Sequence, residues 1–181
     1  AASLRRETNR PVVVADFSQR SDAAGASSAP VVNPALKGGV KGLWPEEGLE
    51  EALYEHPLGF HRLDAGAVVA GDEGAQAIAP LVSALANRYS YIVIDLPSEV
   101  DAKTLKALTQ ADLLYLVTDR SKDYLIRTNA LMHQLRESVS HLDERLKIIL
   151  NLMECKGECL TPAEIAQSLE HVINYTLPHI P

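Results

Sequence analysis

The sequence predicts an α/β fold with a mainly parallel sheet flanked by helices. Three observations carry that expectation: short runs rich in Val and Ile, segments with helical spacing between them, and a regular alternation of the two. The runs are apolar on both faces, which suits a parallel sheet covered by helices on both sides. Alternating strands and helices build βαβ units.

In chain order, the first strand is expected at Pro11 to Asp16 (PVVVAD). Residues 18 to 48 are rich in Ser, Ala, Gly and Pro without a sustained period, and read as a long surface loop. A helix over Gly74 to Arg88 precedes a strand at Tyr91 to Asp95 (YIVID). A helix over Asp101 to Ala111 leads to the strand Leu113 to Val117 (LLYLV), and a helix over Ser121 to Glu137 to the strand Lys147 to Asn151 (KIILN). The helix Pro162 to Leu169 and a strand at Val172 to Leu177 complete the series. That helix opens Thr161-Pro162-Ala163-Glu164, with an N-cap hydroxyl, a Pro at the first helical position and a Glu at the third.

A chain of 181 residues, 46% hydrophobic, buries one core and is short for two ordinary domains, so a single domain over 1–181 is expected. The net charge of -7 and the dispersed Lys and Arg residues argue against direct nucleic-acid binding. No apolar run approaches the roughly 18 residues that cross a bilayer. Arg5, Arg6 and Arg10 near the N-terminus are not accompanied by the apolar segment of a signal peptide, so a cytoplasmic protein is expected. Cys155 and Cys159 are too few to staple the fold, and His171 and His179 are wrongly spaced to complete a zinc site. They read as two free thiols in a loop.

Ligands of doubly wound sheets collect at the carboxyl ends of the strands, which draws attention to Asp16 and Asp95. Asp95 ends YIVIDLP in the form of a Walker B strand, whose carboxylate holds the water shell of a nucleotide-bound Mg²⁺; the alternative is a strand-end Asp capping a loop. Asp16 can orient an attacking water or sit beside the metal, or it too caps a loop. The two converge only if their strands are close in the sheet. Asn151 ends KIILN, where its amide can pair with a base or form a turn. The segment Leu36 to Leu43 (LKGGVKGL) departs from G-x-x-x-x-G-K-[ST], because Gly42 and Leu43 follow Lys41 and no strand precedes it. That pattern occurs nowhere in the 181 residues.

With these residues in place, the order of segments resembles the MinD/ParA family of P-loop ATPases (SIMIBI type), and within it the CpaE/TadZ pilus-assembly and MinD septum-site branch. The opening AASLRRETNRPVVVADFSQR resembles the end of the phosphate-loop helix followed by the family's second strand. GLWPEEGLEEAL resembles the family's short "GLxxxL" helix. RYSYIVIDLPSEVDAKTLKALTQADLLYLVTDRSKDYLIRTNALMHQL resembles the block from the Walker B strand through the "AD" before the next strand to a long helix. KIILNLMECKGECLTPAEIAQSLEHVINYTLPHIP resembles the strand with the base-contacting Asn and the closing "IP" strand.

The resemblance implies a protein that positions or assembles a pilus, flagellum or division apparatus through ATP-dependent dimerisation. It implies Asp16 as the catalytic carboxylate assisting hydrolysis, Asp95 as the metal residue on Mg²⁺, and Asn151 as the cofactor-binding residue at the adenine. ATP and Mg²⁺ are conditional on a phosphate loop that the family carries on a central strand just before this segment. The chain is therefore expected to be incomplete at both ends and inactive alone, and its sheet to leave the neighbours of that strand unpaired or forced together. Partners implied are a second copy and proteins of a positioning or secretion apparatus. The competing reading is a non-catalytic scaffold of the same fold, favoured by Ser18, which stands where many relatives carry a second acidic residue. A receiver domain, whose strand-end Asp resembles IDLP, would need an acidic neighbour for Asp16 and a Lys ending a late strand, and has neither.

Overall fold

The structure, a computed structural model, describes residues 1–18, 49–50, 52–69, 74–153 and 158–179. The expected loop at 18 to 48, apart from Ser18, and the segment Leu36 to Leu43 lie outside them. The chain forms two compact units, Ala1–Gln110 and Ala111–Pro181.

The first unit opens with α1 (Ala2–Thr8), closed by Asn9 in the left-handed conformation, whose N–H returns to the Arg5 carbonyl. Next comes β1 (Val12–Asp16), whose Val12, Val13 and Ala15 are buried. A hairpin follows, β2 (Leu53–Glu55) and β3 (His61–Asp64). Its turn runs from His56 to Gly59, closed by the Gly59 N–H to the His56 carbonyl at 2.8 Å, with Gly59 at φ 78°. After α2 (Ala65–Val68) and α3 (Gly74–Ala86) come β4 (Tyr91–Asp95) and α4 (Ala102–Gln110). The strands form one sheet in the order β2-β3-β1-β4, parallel except for the β2–β3 pair. On α3, Ala77, Ile78, Leu81 and Leu85 recur at helical spacing and are buried with Val13, Ala15 and Leu63 in one core. Asp101 caps α4 by accepting the Thr104 N–H at 2.7 Å.

The second unit is a parallel three-stranded sheet, β5-β6-β7, formed by Leu114–Asp119, Leu146–Asn151 and Ile173–Leu177. Its helices are α5 (Lys122–Ser138), the single turn α6 (Leu142–Arg145) and α7 (Pro162–Leu169). Ser121 caps α5, and the capping box read from Thr161 and Glu164 is present on α7. The buried Thr118 and Thr128 hydroxyls pair at 3.0 Å, joining β5 to α5. The β6–β7 register is irregular between Ile148 and Ile149, and there the Asn174 side chain accepts the Ile148 N–H at 2.8 Å in place of a backbone carbonyl.

The α/β class and the parallel sheets follow the expectation. In the second unit, however, the runs read as buried on both faces bury only one. Tyr115, Val117, Tyr175 and Leu177 are exposed, because alternate residues of a strand face opposite sides and α5 packs the side that carries Leu114 and Thr118. The described strands form two sheets, and among the described residues β4 pairs only with β1 and β5 only with β6. The free-thiol reading is corrected: Cys159 is disulfide-bonded and no described cysteine is free. Its segment is held by a backbone bridge to Ser121 and by the Leu160 N–H to the Arg120 carbonyl at 2.9 Å. Cys155 lies outside the described residues.

Candidate functional site

Three parallel strands of the first unit end in aspartate. Asp16 on β1 is aligned with Asp64 on β3 and with Asp95 on β4. Neighbouring strands lie about 4.8 Å apart, so the register puts three carboxyl-bearing residues in one row at the carboxyl edge of the sheet. Asp16 and Asp95 thus meet the condition for acting together, since their strands are adjacent. Asp64 was not singled out in the sequence. The strand that carries it, HRLD, is short and polar at three of its four positions, but the Pro57 and Gly59 turn before it was a usable hairpin signal.

The three carboxylates differ in surroundings. Asp16 is buried, and Oδ1 accepts the Ser18 N–H at 2.9 Å and the Ser18 hydroxyl. Its Oδ2 accepts from Arg62 Nη2 at 2.6 Å. Burial pushes the Asp16 carboxyl up, but the Ser18 and Arg62 hydrogen bonds outweigh it and hold the group below the ordinary carboxylate range. Its negative charge in turn raises Arg62, through their hydrogen bond first. Asp95 is exposed and, among the described residues, has no ion-pair partner.

Among the described residues no three His, Cys, Asp or Glu side chains are close enough to cage a metal. An exposed strand-end carboxylate fits a Mg²⁺ held through its water shell, which needs one or two carboxylates and substrate oxygens rather than a protein cage. Asn151 ends β6 in the second unit, half-buried, in register with Asp119 and Leu177. Asp119 itself accepts the Ser121 N–H at 2.8 Å and so shapes the turn into α5.

No protein-family model matches the sequence, and no curated protein sequence does. Solved structures do match. A ParA family ATPase from Chlorobium tepidum superposes with a TM-score of 0.77 at 19% identity, covering 98% of this chain and 75% of that one. The fold is that of the MinD/ParA ATPases. The MinD cell division protein of Aquifex aeolicus shares this MinD/ParA fold at TM-score 0.66 and 17% identity, over 99% of this chain and 74% of that one. The septum site-determining MinD of Pyrococcus horikoshii, solved with Mg-ADP, does so at TM-score 0.62 and 18% identity, over 99% and 73%. At these identities the likeness establishes the MinD/ParA fold and leaves the activity to be argued from the residues.

Proposed function

We propose that this chain is part of an ATP-binding protein of the MinD/ParA type, in the CpaE/TadZ or MinD branch, that positions or assembles a pilus, flagellum or division apparatus. Nucleotide-dependent formation of a homodimer, acting on protein partners of that apparatus in the cytoplasm, is the working step. The observation that supports it is the pairing of Asp16 and Asp95 in register on adjacent parallel strands, at the edge where ligands of such sheets bind. In this reading Asp16 orients water for hydrolysis, Asp95 holds Mg²⁺ through water, and Asn151 contacts the adenine. Bound Mg²⁺ supplies charge neutralisation for phosphoryl transfer.

The reading requires a phosphate-binding loop, and the pattern G-x-x-x-x-G-K-[ST] is absent from the 181 residues. In the family this chain resembles, that loop follows a central strand. β4, paired only with β1 among the described residues, is an edge that such a strand could extend.

Sedimentation of the full-length gene product with Mg-ATP, with Mg-ADP and without nucleotide tests the proposal. A dimer formed with Mg-ATP and lost in Asp95→Asn is the expected result. One oligomeric state under all conditions would instead support the scaffold reading. Its favouring observation is that Asp16 is already engaged by Ser18 and Arg62.

A further inference from the structure

Arg62 stands two residues before Asp64 on β3, and residues two apart on a strand share a face. Asp64 is aligned with Asp16, so Arg62 lies one strand across and one step below that carboxylate, and it reaches Oδ2 at 2.6 Å. On its other side stands Tyr54, opposite Arg62 in the β2–β3 hairpin. The guanidinium therefore ties β3 to the end of β1, and its planar fork holds a carboxylate in a more fixed geometry than a single ammonium does. Arg62 is also a cation one step below a row of three strand-end carboxyl residues whose charges repel one another.

A carboxylate offers about four acceptor sites. On Asp16, Ser18 fills two through its N–H and hydroxyl, and Arg62 fills a third. Among the described residues one site remains, on Oδ2.

We propose that Arg62 is a positioning residue, which fixes the Asp16 carboxylate so that the remaining acceptor position on Oδ2 orients a water molecule. This role rests on the water-orienting reading of Asp16. A carboxylate gripped by three donors is a poor proton acceptor, so Asp16 works by orientation and leaves proton removal to another group. Arg62 touches neither water nor nucleotide in this scheme and acts through Asp16 alone.

The experiment uses the full-length gene product as wild type, Arg62→Met, Arg62→Lys and, as a control on a distant ion pair, Arg88→Met. Loss of orientation lowers kcat by about tenfold or more in Arg62→Met, with the nucleotide KM within about twofold of wild type. Arg62→Lys recovers part of kcat, and Arg88→Met matches wild type. A second readout needs no turnover. The Ser18 amide proton, shifted downfield by its bond to Oδ1, moves upfield in Arg62→Met and stays in Arg62→Lys. Wild-type kcat with an unmoved Ser18 amide in Arg62→Met overturns the proposal. So does a parallel fall of kcat, nucleotide affinity and melting temperature in both Arg62 variants, the mark of a purely structural arginine. If the wild-type protein turns over no nucleotide, the function proposed above fails, and the Ser18 amide alone then decides whether Arg62 positions Asp16.

Discussion

Asp16 and Asp95 end neighbouring strands, yet replacing each with asparagine has different consequences. Asparagine keeps the shape of aspartate but turns one acceptor oxygen into an NH₂ donor. At Asp16 both oxygens already accept, Oδ1 from Ser18 and Oδ2 from Arg62, so either orientation of the amide sets a donor against a donor. Hydrogen bonds to a charged group contribute about 1.5 to 3 kcal/mol. The Arg62 side chain is 42% exposed, so solvent screening discounts its share. Asp16→Asn is therefore expected to lose about 2 to 3 kcal/mol at pH 7. Asp95 is exposed and free of ion pairs among the described residues, so Asp95→Asn stays within about 0.5 kcal/mol of wild type. With a urea slope of about 2 to 3 kcal/mol/M, the Asp16→Asn midpoint falls by about 1 M.

The pH dependence has a definite sign. Burial raises the Asp16 carboxyl, but Ser18 and Arg62 outweigh it, so the folded value lies below the unfolded one. The stabilisation is complete above the unfolded value of about 3.9 and is lost as pH falls through the depressed folded value. The gap between wild type and Asp16→Asn therefore narrows on acidification. Urea unfolding at pH 7 and in steps below pH 4, followed by circular dichroism, checks both claims. An Asp16→Asn midpoint equal to that of Asp95→Asn would refute the assignment of partners to Asp16.

Other outcomes follow from single contacts. Thr128→Val leaves the buried Thr118 hydroxyl without its partner and costs about 1 to 3 kcal/mol, whereas Thr118→Val with Thr128→Val is near neutral; additive losses in denaturant titrations would contradict the pairing. Gly74→Ala sets a methyl 1.9 Å from the Val69 carbonyl oxygen and is expected to lower stability by about 1 to 3 kcal/mol, read as a drop in melting temperature. Asp101 is held below the ordinary carboxylate range chiefly by the Thr104 backbone N–H, so its cap is intact above the unfolded value and fades as pH falls through the folded one. Asp101→Ala accordingly costs about 1 kcal/mol at pH 7, and the difference from wild type disappears in acid.

The sequence showed the parts of the fold that rest on local chemistry. YIVID coincides with β4, and the helix Pro162–Leu169 has the bounds its cap and proline announced. The hairpin at Leu53–Glu55 and His61–Asp64 was missed because β2 is three residues long and β3 carries His61 and Arg62 where a buried parallel strand would be apolar. That miss hid both Asp64 and Arg62. The alignment of Asp16 with Asp95 depends on strand order, a non-local property that no window of residues encodes. The disulfide at Cys159 was likewise illegible, since spacing alone does not bring two sulfur atoms together. Asp16 stood out as a strand-end carboxylate, but its grip by an arginine 46 residues away could be seen only once β1 and β3 were side by side.

The central claim is that the carboxyl edge carrying Asp16 and Asp95 belongs to a nucleotide site. Equilibrium binding of fluorescent ATP with Mg²⁺ to the full-length gene product, beside its Asp95→Ala variant, tests it most directly. Micromolar binding that needs Mg²⁺ and weakens in Asp95→Ala is the predicted result; binding absent from both proteins, or unchanged by the substitution, would contradict it.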